Sequence, residues 1–220
     1  MSFIREIKYY ESLASTNLTA KKLASEGACE GTLVMAGRQT DGRGRTGSQW
    51  HHPEKKGDAI AMSMILRPKL APDSASMLTI AAAVAVRQAI EKETGLVADI
   101  KWPNDLLCEG KKLCGILTEG VFKDGQYYAV LGIGLNVNAE VFPKELEDIA
   151  CSIKQCTGKE ADSDELVRAI FEEFENCYAA LQSDGDLHRL KEDYNANCTA
   201  ESKIDDRGHR TKAFDNKVAL

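Results

Sequence analysis

Along this chain the spacing of apolar residues switches between a period of two and a period near 3.6, and the switches mark its elements. "FIREIKYYES" has strand spacing, and "STNLTAKKLASEG" reads as a helix opened by a Ser or Thr cap and closed at Gly27. "GTLVMAG" reads as a strand, and after a glycine-rich stretch "AIAMSMILRP" resumes as a buried strand halted at Pro68. "DSASMLTIAAAVAVRQAIEKETG" is capped at Asp73 or Ser74 and is apolar on nearly every face through Val86. It then turns polar and ends at Gly95, which predicts a central buried helix. "VADIKW" is a short strand running into "PND", and "LLC" with "EGKK" predicts a hairpin. "KLCGILTEGVF", the turn "KDGQ" and "YYAVLGIGLNVN" predict a second strand pair. Helices over residues 163–182 and 186–195 close the pattern.

Strands that come in runs, rather than alternating one by one with helices, predict an α+β fold: a mixed, mainly antiparallel sheet carrying helices on one side. At 220 residues and 43% hydrophobic content the chain can bury one good core. A net charge of -6 argues against a protein that coats phosphate backbones, so no nucleic-acid partner is expected. No apolar run approaches the roughly 20 residues of a membrane span, and "MSFIREIKYYESL" lacks the apolar centre of a signal peptide. The expected location is the cytoplasm. Seven cysteines, odd in number and without a C-x-x-C pair, suit a reduced compartment and read as core filler. His51 and His52 read as loop residues, no structural zinc pattern is visible, and metal ligands stay unassigned.

Candidate chemistry begins with "GRQTDGRGRTGSQW", residues 37–50, in which Gly42, Gly44 and Gly47 spell G-x-G-x-x-G. A dinucleotide loop needs a strand leading in and a helix opening at once behind it. "SQWHHPEKKGD" has no helical period, so that reading fails. Arg43 and Arg45 fill the free positions, and two guanidiniums on a glycine-rich loop are either surface charges on a solvated turn or an anion site that closes over its ligand. In "KWPND", Lys101 ends a strand and can act as a point charge, or can simply snorkel at a strand-to-turn transition. In "GIGLNVN", Gly132 and Gly134 interrupt a strand, where glycine serves close approach of a ligand or of another backbone.

Taken together, "GRQTDGRGRTGSQW", "KWPNDLL", "GKKLCGILTE" and "LGIGLNVN", in this order, resemble the biotin protein ligases over roughly residues 5 to 195. The resemblance implies the class II aminoacyl-tRNA synthetase-like α+β fold, shared with lipoate ligases, and a two-step reaction. Biotin and MgATP give biotinyl-5′-AMP and pyrophosphate, and the adenylate then biotinylates a lysine of a carboxylase carrier domain. By position it implies Ser15, Thr16, Asn17 and Gln39 on biotin, and Gly42, Arg43, Gly44, Arg45 and Trp50 on biotin and the adenylate. Arg43 and Arg45 are also catalytic on this reading, Lys101 matches the catalytic lysine, and Gly115 and Asn136 line the pockets. The implied domain spans 1–197, with 198–220 a truncated or divergent remnant of the family's small C-terminal SH3-like barrel. A homodimer is compatible with it. Ser48 stands where the family often has Arg or Lys, and the expectation is a short form without the DNA-binding domain that opens the repressor branch. A lipoate ligase, or a biotin-binding module without catalysis, are the alternatives.

Overall fold

A computed structural model describes residues 3–70, 75–123, 125–199, 202–206 and 208–212. Its main sheet has seven strands in the order β1 (Glu6–Tyr10), β2 (Thr32–Ala36), β3 (Ala59–Leu66), β7 (Gln126–Asn136), β6 (Lys111–Lys123), β5 (Asp105–Cys108) and β4 (Asp99–Lys101). The β1–β2 pair is parallel, and the pairs from β2 to β4 across the sheet are antiparallel. The mixed, mainly antiparallel sheet expected from the runs of strands is therefore present.

Alternation along the strands divides the core between two faces. Leu33, Met64 and Leu131 point into the larger cluster, while their neighbours Val34, Ile65 and Val130 point into a smaller one. On the larger side lies α2 (Ala75–Thr94), covered in turn by α4 (Ser163–Asp184). Enclosure between sheet and helix explains why every position from Ala81 to Val86 is buried. On the smaller side α1 (Thr16–Ser25) packs Ala20 and Ala24 against the sheet. The sheet thus carries helices on both faces, because a half-polar helix with two buried alanines suffices to cover three strands.

Caps follow the sequence signals where the elements are long. Ser15 is the N-cap of α1, Gly27 follows it with φ 97°, and Asp162 accepts from the backbone of Asp164 and Glu165 at the start of α4. The anticipated last helix divides into a 3-10 turn at His188–Leu190 and α5 (Lys191–Asn197). A one-turn helix, α3 (Ile153–Thr157), was not anticipated; it is held by a Ser152–Gln155 capping box and is too short to show a period. Asp73 and Ser74, the proposed cap of α2, Asp124 of the "KDGQ" turn, and residues 213–220 lie outside the described residues.

The tail leans on the rest of the fold. Strands β8 (Ser202–Ile204) and β9 (Arg210–Lys212) form a separate two-stranded sheet. Ile204 is buried in the larger core, and its backbone is bracketed by the Asn195 side chain through two 2.8 Å hydrogen bonds. Among the described residues no helix is long and apolar enough to cross a membrane.

Phe174 is fully buried and stacks on Tyr178, 5.5 Å between ring centroids, with Phe3 tilted against both rings. Phe174→Ala should cost about 3–5 kcal/mol of unfolding free energy, measured by urea denaturation. A loss under about 1 kcal/mol would mean that α4 is not fixed by this contact.

Candidate ligand site

The strand that runs through the middle of the sheet, β7, has glycine where a side chain would fill the space above it. A Cβ at Gly132 would lie 2.0 Å from Asn17 Oδ1, and one at Gly134 would lie 2.5 Å from the Trp50 ring. Across the β6–β7 pairing, Gly115 faces Gly134, and its Cβ would meet Trp50 at 3.0 Å and the Lys112 Cε at 3.2 Å. The result is a cavity of about 260 Å³ cut into the face of the sheet, with Asn17 at one side and Trp50 at the other.

The polar end is built at the start of α1. Ser15, Thr16 and Asn17 are all buried, and Gln39 Oε1 accepts from the Thr16 amide at 2.8 Å and its hydroxyl at 3.0 Å. Ser63 is the polar exception in an apolar strand because it serves this network. Its Oγ lies 2.7 Å from Thr16 Oγ1 and 2.6 Å from Asn17 Oδ1. Asn17 Nδ2 in turn donates to Glu119 at 2.9 Å, and Lys21 pairs with the same carboxylate at 2.9 Å. Burial pushes the Glu119 carboxyl up, but the Lys21 and Asn17 bonds outweigh it and hold the group below its ordinary 4.5. The Ser15 hydroxyl caps nothing, although Ser15 is the N-cap residue.

The loop from Gly42 to Trp50 is an ordered hairpin. Trp50 N donates to Gly42 O and Gly44 N to Ser48 O, both at 2.8 Å, around a 3-10 turn at Arg45–Gly47 in which Thr46 adopts φ 53°. One leg lays Trp50 on the glycine floor, and the turn sets Arg43 and Arg45 at the rim, half-exposed or more. Arg43 lies 3.8 Å from Asp41, and Arg45 donates to Asn104 Oδ1 at 3.4 Å. Ser48 donates to Arg45 O at 2.8 Å, so at this position the hydroxyl shapes the turn. The Trp50 indole N–H is buried beside the cavity and has no partner among the described residues.

Lys112 supplies a third cation from within. The β5–β6 register shifts between Leu106 and Leu107, so Leu113 and Cys114 both face the core. That bulge turns Lys112 onto the face of Gly115. Its ammonium lies 2.7 Å from Asp105 and 5.7 Å from the centre of the Trp50 ring. Asn104 is fixed by exchange with Ile116, donating to its carbonyl at 3.0 Å and accepting from its amide through the main chain at 2.8 Å.

Nine of the anticipated residues line this cavity: Ser15, Thr16, Asn17, Gln39, Arg43, Gly44, Arg45, Trp50 and Gly115. Three do not. Lys101 projects its exposed side chain from the edge strand β4, and the "KWPND" stretch contributes Asn104 and Asp105 instead. Asn136 is buried and spends its amide on Cys151 O at 3.0 Å, while Gly42 closes the loop hairpin. Lys112 was passed over in "GKKLCGILTE", although the apolar pair "LC" directly behind the lysines is the local sign of the bulge.

A preformed polar end, an apolar slot and three cations surround one cavity of this α+β domain, a set of groups complementary to a small organic anion. Comparison with known proteins agrees: residues 9–136 match the model of the Biotin/lipoate A/B protein ligase family, and the chain belongs to that family. It is 45% identical over 180 residues to the bifunctional ligase/repressor BirA of Bacillus subtilis, covering 80% of this chain and 55% of that protein. It is 34% identical over 177 residues to a biotin–[acetyl-CoA-carboxylase] ligase of Paracoccus denitrificans, covering 78% and 72%. This chain therefore spans little more than half the length of the Bacillus protein. Among solved structures, the biotin protein ligase of Aquifex aeolicus in complex with biotin and ATP superposes with a TM-score of 0.78 at 27% identity, over 90% of this chain and 82% of that one.

Two measurements check this site. In a Trp102→Phe background Trp50 is the only indole, since the chain has two tryptophans. Gly134→Ala should lift its ring from the strand, shifting emission to the red and increasing quenching by acrylamide; an unchanged spectrum would contradict the packing. The second concerns Glu119, whose folded-state pKa is depressed. Its contribution to stability is complete above the unfolded value near 4.5 and is lost as pH falls through the lower folded value. The Tm difference between the parent and Glu119→Gln should shrink as pH is lowered from about 6 to about 3. A difference constant over that range would remove the ion pair from the account.

Proposed function

We propose that this domain activates biotin with MgATP to biotinyl-5′-AMP, releasing pyrophosphate, and then passes biotin to a lysine on a biotin carboxyl carrier domain of a carboxylase. The observation that carries this reading is Lys112 at the inner end of a glycine-floored slot that also has a hydrogen-bonding head and two guanidiniums at its rim. Biotin has a urea with one acceptor and two donors, an apolar ring body and a carboxylate tail. The Ser15–Asn17 and Gln39 network suits the urea, the Trp50 slot suits the rings, and Lys112 suits the carboxylate.

In the first step a biotin carboxylate oxygen attacks the α-phosphorus of ATP, and the bond to the bridging oxygen breaks as pyrophosphate leaves. Two anions must approach, so the contribution of the protein is to hold them in line and to neutralise the charge that grows on the α-phosphate. The pairing of Lys112 with Asp105 beside the slot supports a role for it at the junction, and the position of Arg43 and Arg45 at the rim supports a role for them on the phosphates. In the second step the acceptor amine attacks the acyl carbon and AMP leaves. Trp50 and the arginine turn belong to one hairpin, which shields the mixed anhydride from water until the acceptor arrives. Seven cysteines with no disulfide among the described residues suit a reducing, cytoplasmic setting.

The test is biotin-dependent release of pyrophosphate, with lipoate in a parallel arm. Pyrophosphate release with biotin and none with lipoate supports the reading; the reverse makes the domain a lipoate ligase, and release with neither makes it a binding module. Lys112→Ala should lower kcat for adenylation at least about 100-fold, a barrier increase of about 2.7 kcal/mol. Lys101→Ala, at the exposed sheet edge, should stay within about threefold of the parent, under ~1 kcal/mol. Equal losses in the two variants would return the central charge to Lys101.

A further inference from the structure

Outside the cavity, the fold gathers three thiols that nothing in the adenylation chemistry uses. Cys108 ends β5, Cys151 lies just before α3, and Cys156 sits within α3. Their sulfur atoms all lie within 4.8 Å of one another, with Cys108 and Cys151 buried and Cys156 half-buried. Residues 43 and 48 positions apart in the chain are brought together because the segment after β7 returns to pair with the β5–β6 hairpin. Lys112 N donates to Ile149 O at 2.8 Å, and Cys151 N donates to Lys112 O at 3.0 Å.

We propose that Cys108, Cys151 and Cys156 form a trithiolate site for a thiophilic d10 cation such as Zn2+, with a water as fourth ligand on the open side of Cys156. A Zn–S length of about 2.3 Å sets tetrahedral S···S separations near 3.8 Å, which small rotations about the three Cα–Cβ bonds reach from the spacing present. Thiolate donors select this class of ion over Mg2+ and Ca2+, which take oxygen. Each thiol gives its proton to solvent as its sulfur binds, so three protons leave for each divalent ion and no electron moves. The bound group carries a net charge of -1, and its neighbour on the adjoining hairpin is Lys111, whose carbonyl accepts from Cys151 Sγ at 3.5 Å.

Occupancy pins the α3 segment to the hairpin that carries Asp105 and Lys112. The ion binds the folded arrangement in preference to the unfolded chain, so it stabilises the fold with the logarithm of its free concentration over Kd.

The experiment uses the untagged chain, reduced and kept anaerobic. Titration with Cd2+ should raise one equivalent of the ultraviolet thiolate-to-metal band, and Zn2+ should displace it. Zn2+ at about 100 times Kd should raise Tm by about 5 °C. Cys156→Ser should weaken binding at least about tenfold and reduce the band, whereas Cys29→Ser, an exposed cysteine far along the chain, should leave both unchanged. Should Cys156→Ser fail to fold, alkylation of the parent decides: Zn2+ should protect Cys156 while Cys29 reacts at its metal-free rate. No band in the parent, a band and affinity unchanged in Cys156→Ser, or equal alkylation of Cys156 with and without Zn2+ would overturn the site.

Discussion

The absence of side chains at Gly132 and Gly134 is the constraint on which the site depends. Both lie inside a strand that is hydrogen-bonded on either side, so the backbone is held flat and the missing atoms leave a depression in the sheet. Asn17 and Trp50 reach the depression from opposite directions, one from a helix N-terminus and one from a loop, and each would collide with a single methyl group. A rigid floor of this kind requires little reorganisation when a ligand arrives, which is where pre-organised binding gains its advantage.

Much of the fold was legible because its elements are long relative to their periods. β3, α2 and α4 each show several repeats of an apolar spacing, and their ends carry Pro68, Gly95 and Gly185. The site was legible through glycine and arginine, which have few roles inside strands and tight turns. Legibility failed where one residue of register decides the outcome. Between Lys101 and Lys112 the deciding fact is a β-bulge, which depends on the pairing of two strands and so has no period of its own. The same holds for the one-turn helix α3 and for the three cysteines, whose proximity follows from the path of the chain between β7 and α4.

Charge is distributed unevenly over the cavity. The three cations come from two segments, and the anionic group among the lining residues, Asp105, is already engaged with Lys112. A ligand that brings its own negative charge therefore competes with a side chain already in place, and only a second anion, met by the arginines, raises the positive excess to full use. That arrangement favours a ligand pair over either ligand alone.

The contact between Lys21 and Glu119 has a consequence for how this sequence can drift. Lys21 is a half-buried lysine one turn along α1 from Asn17, and its partner also orients the amide of Asn17. Loss of either charge by itself leaves the other facing a buried amide in the wrong electrostatic setting. Positions 21 and 119 should accordingly be inherited as a pair, changing together among descendants of this chain or remaining as they are, even though 98 residues separate them.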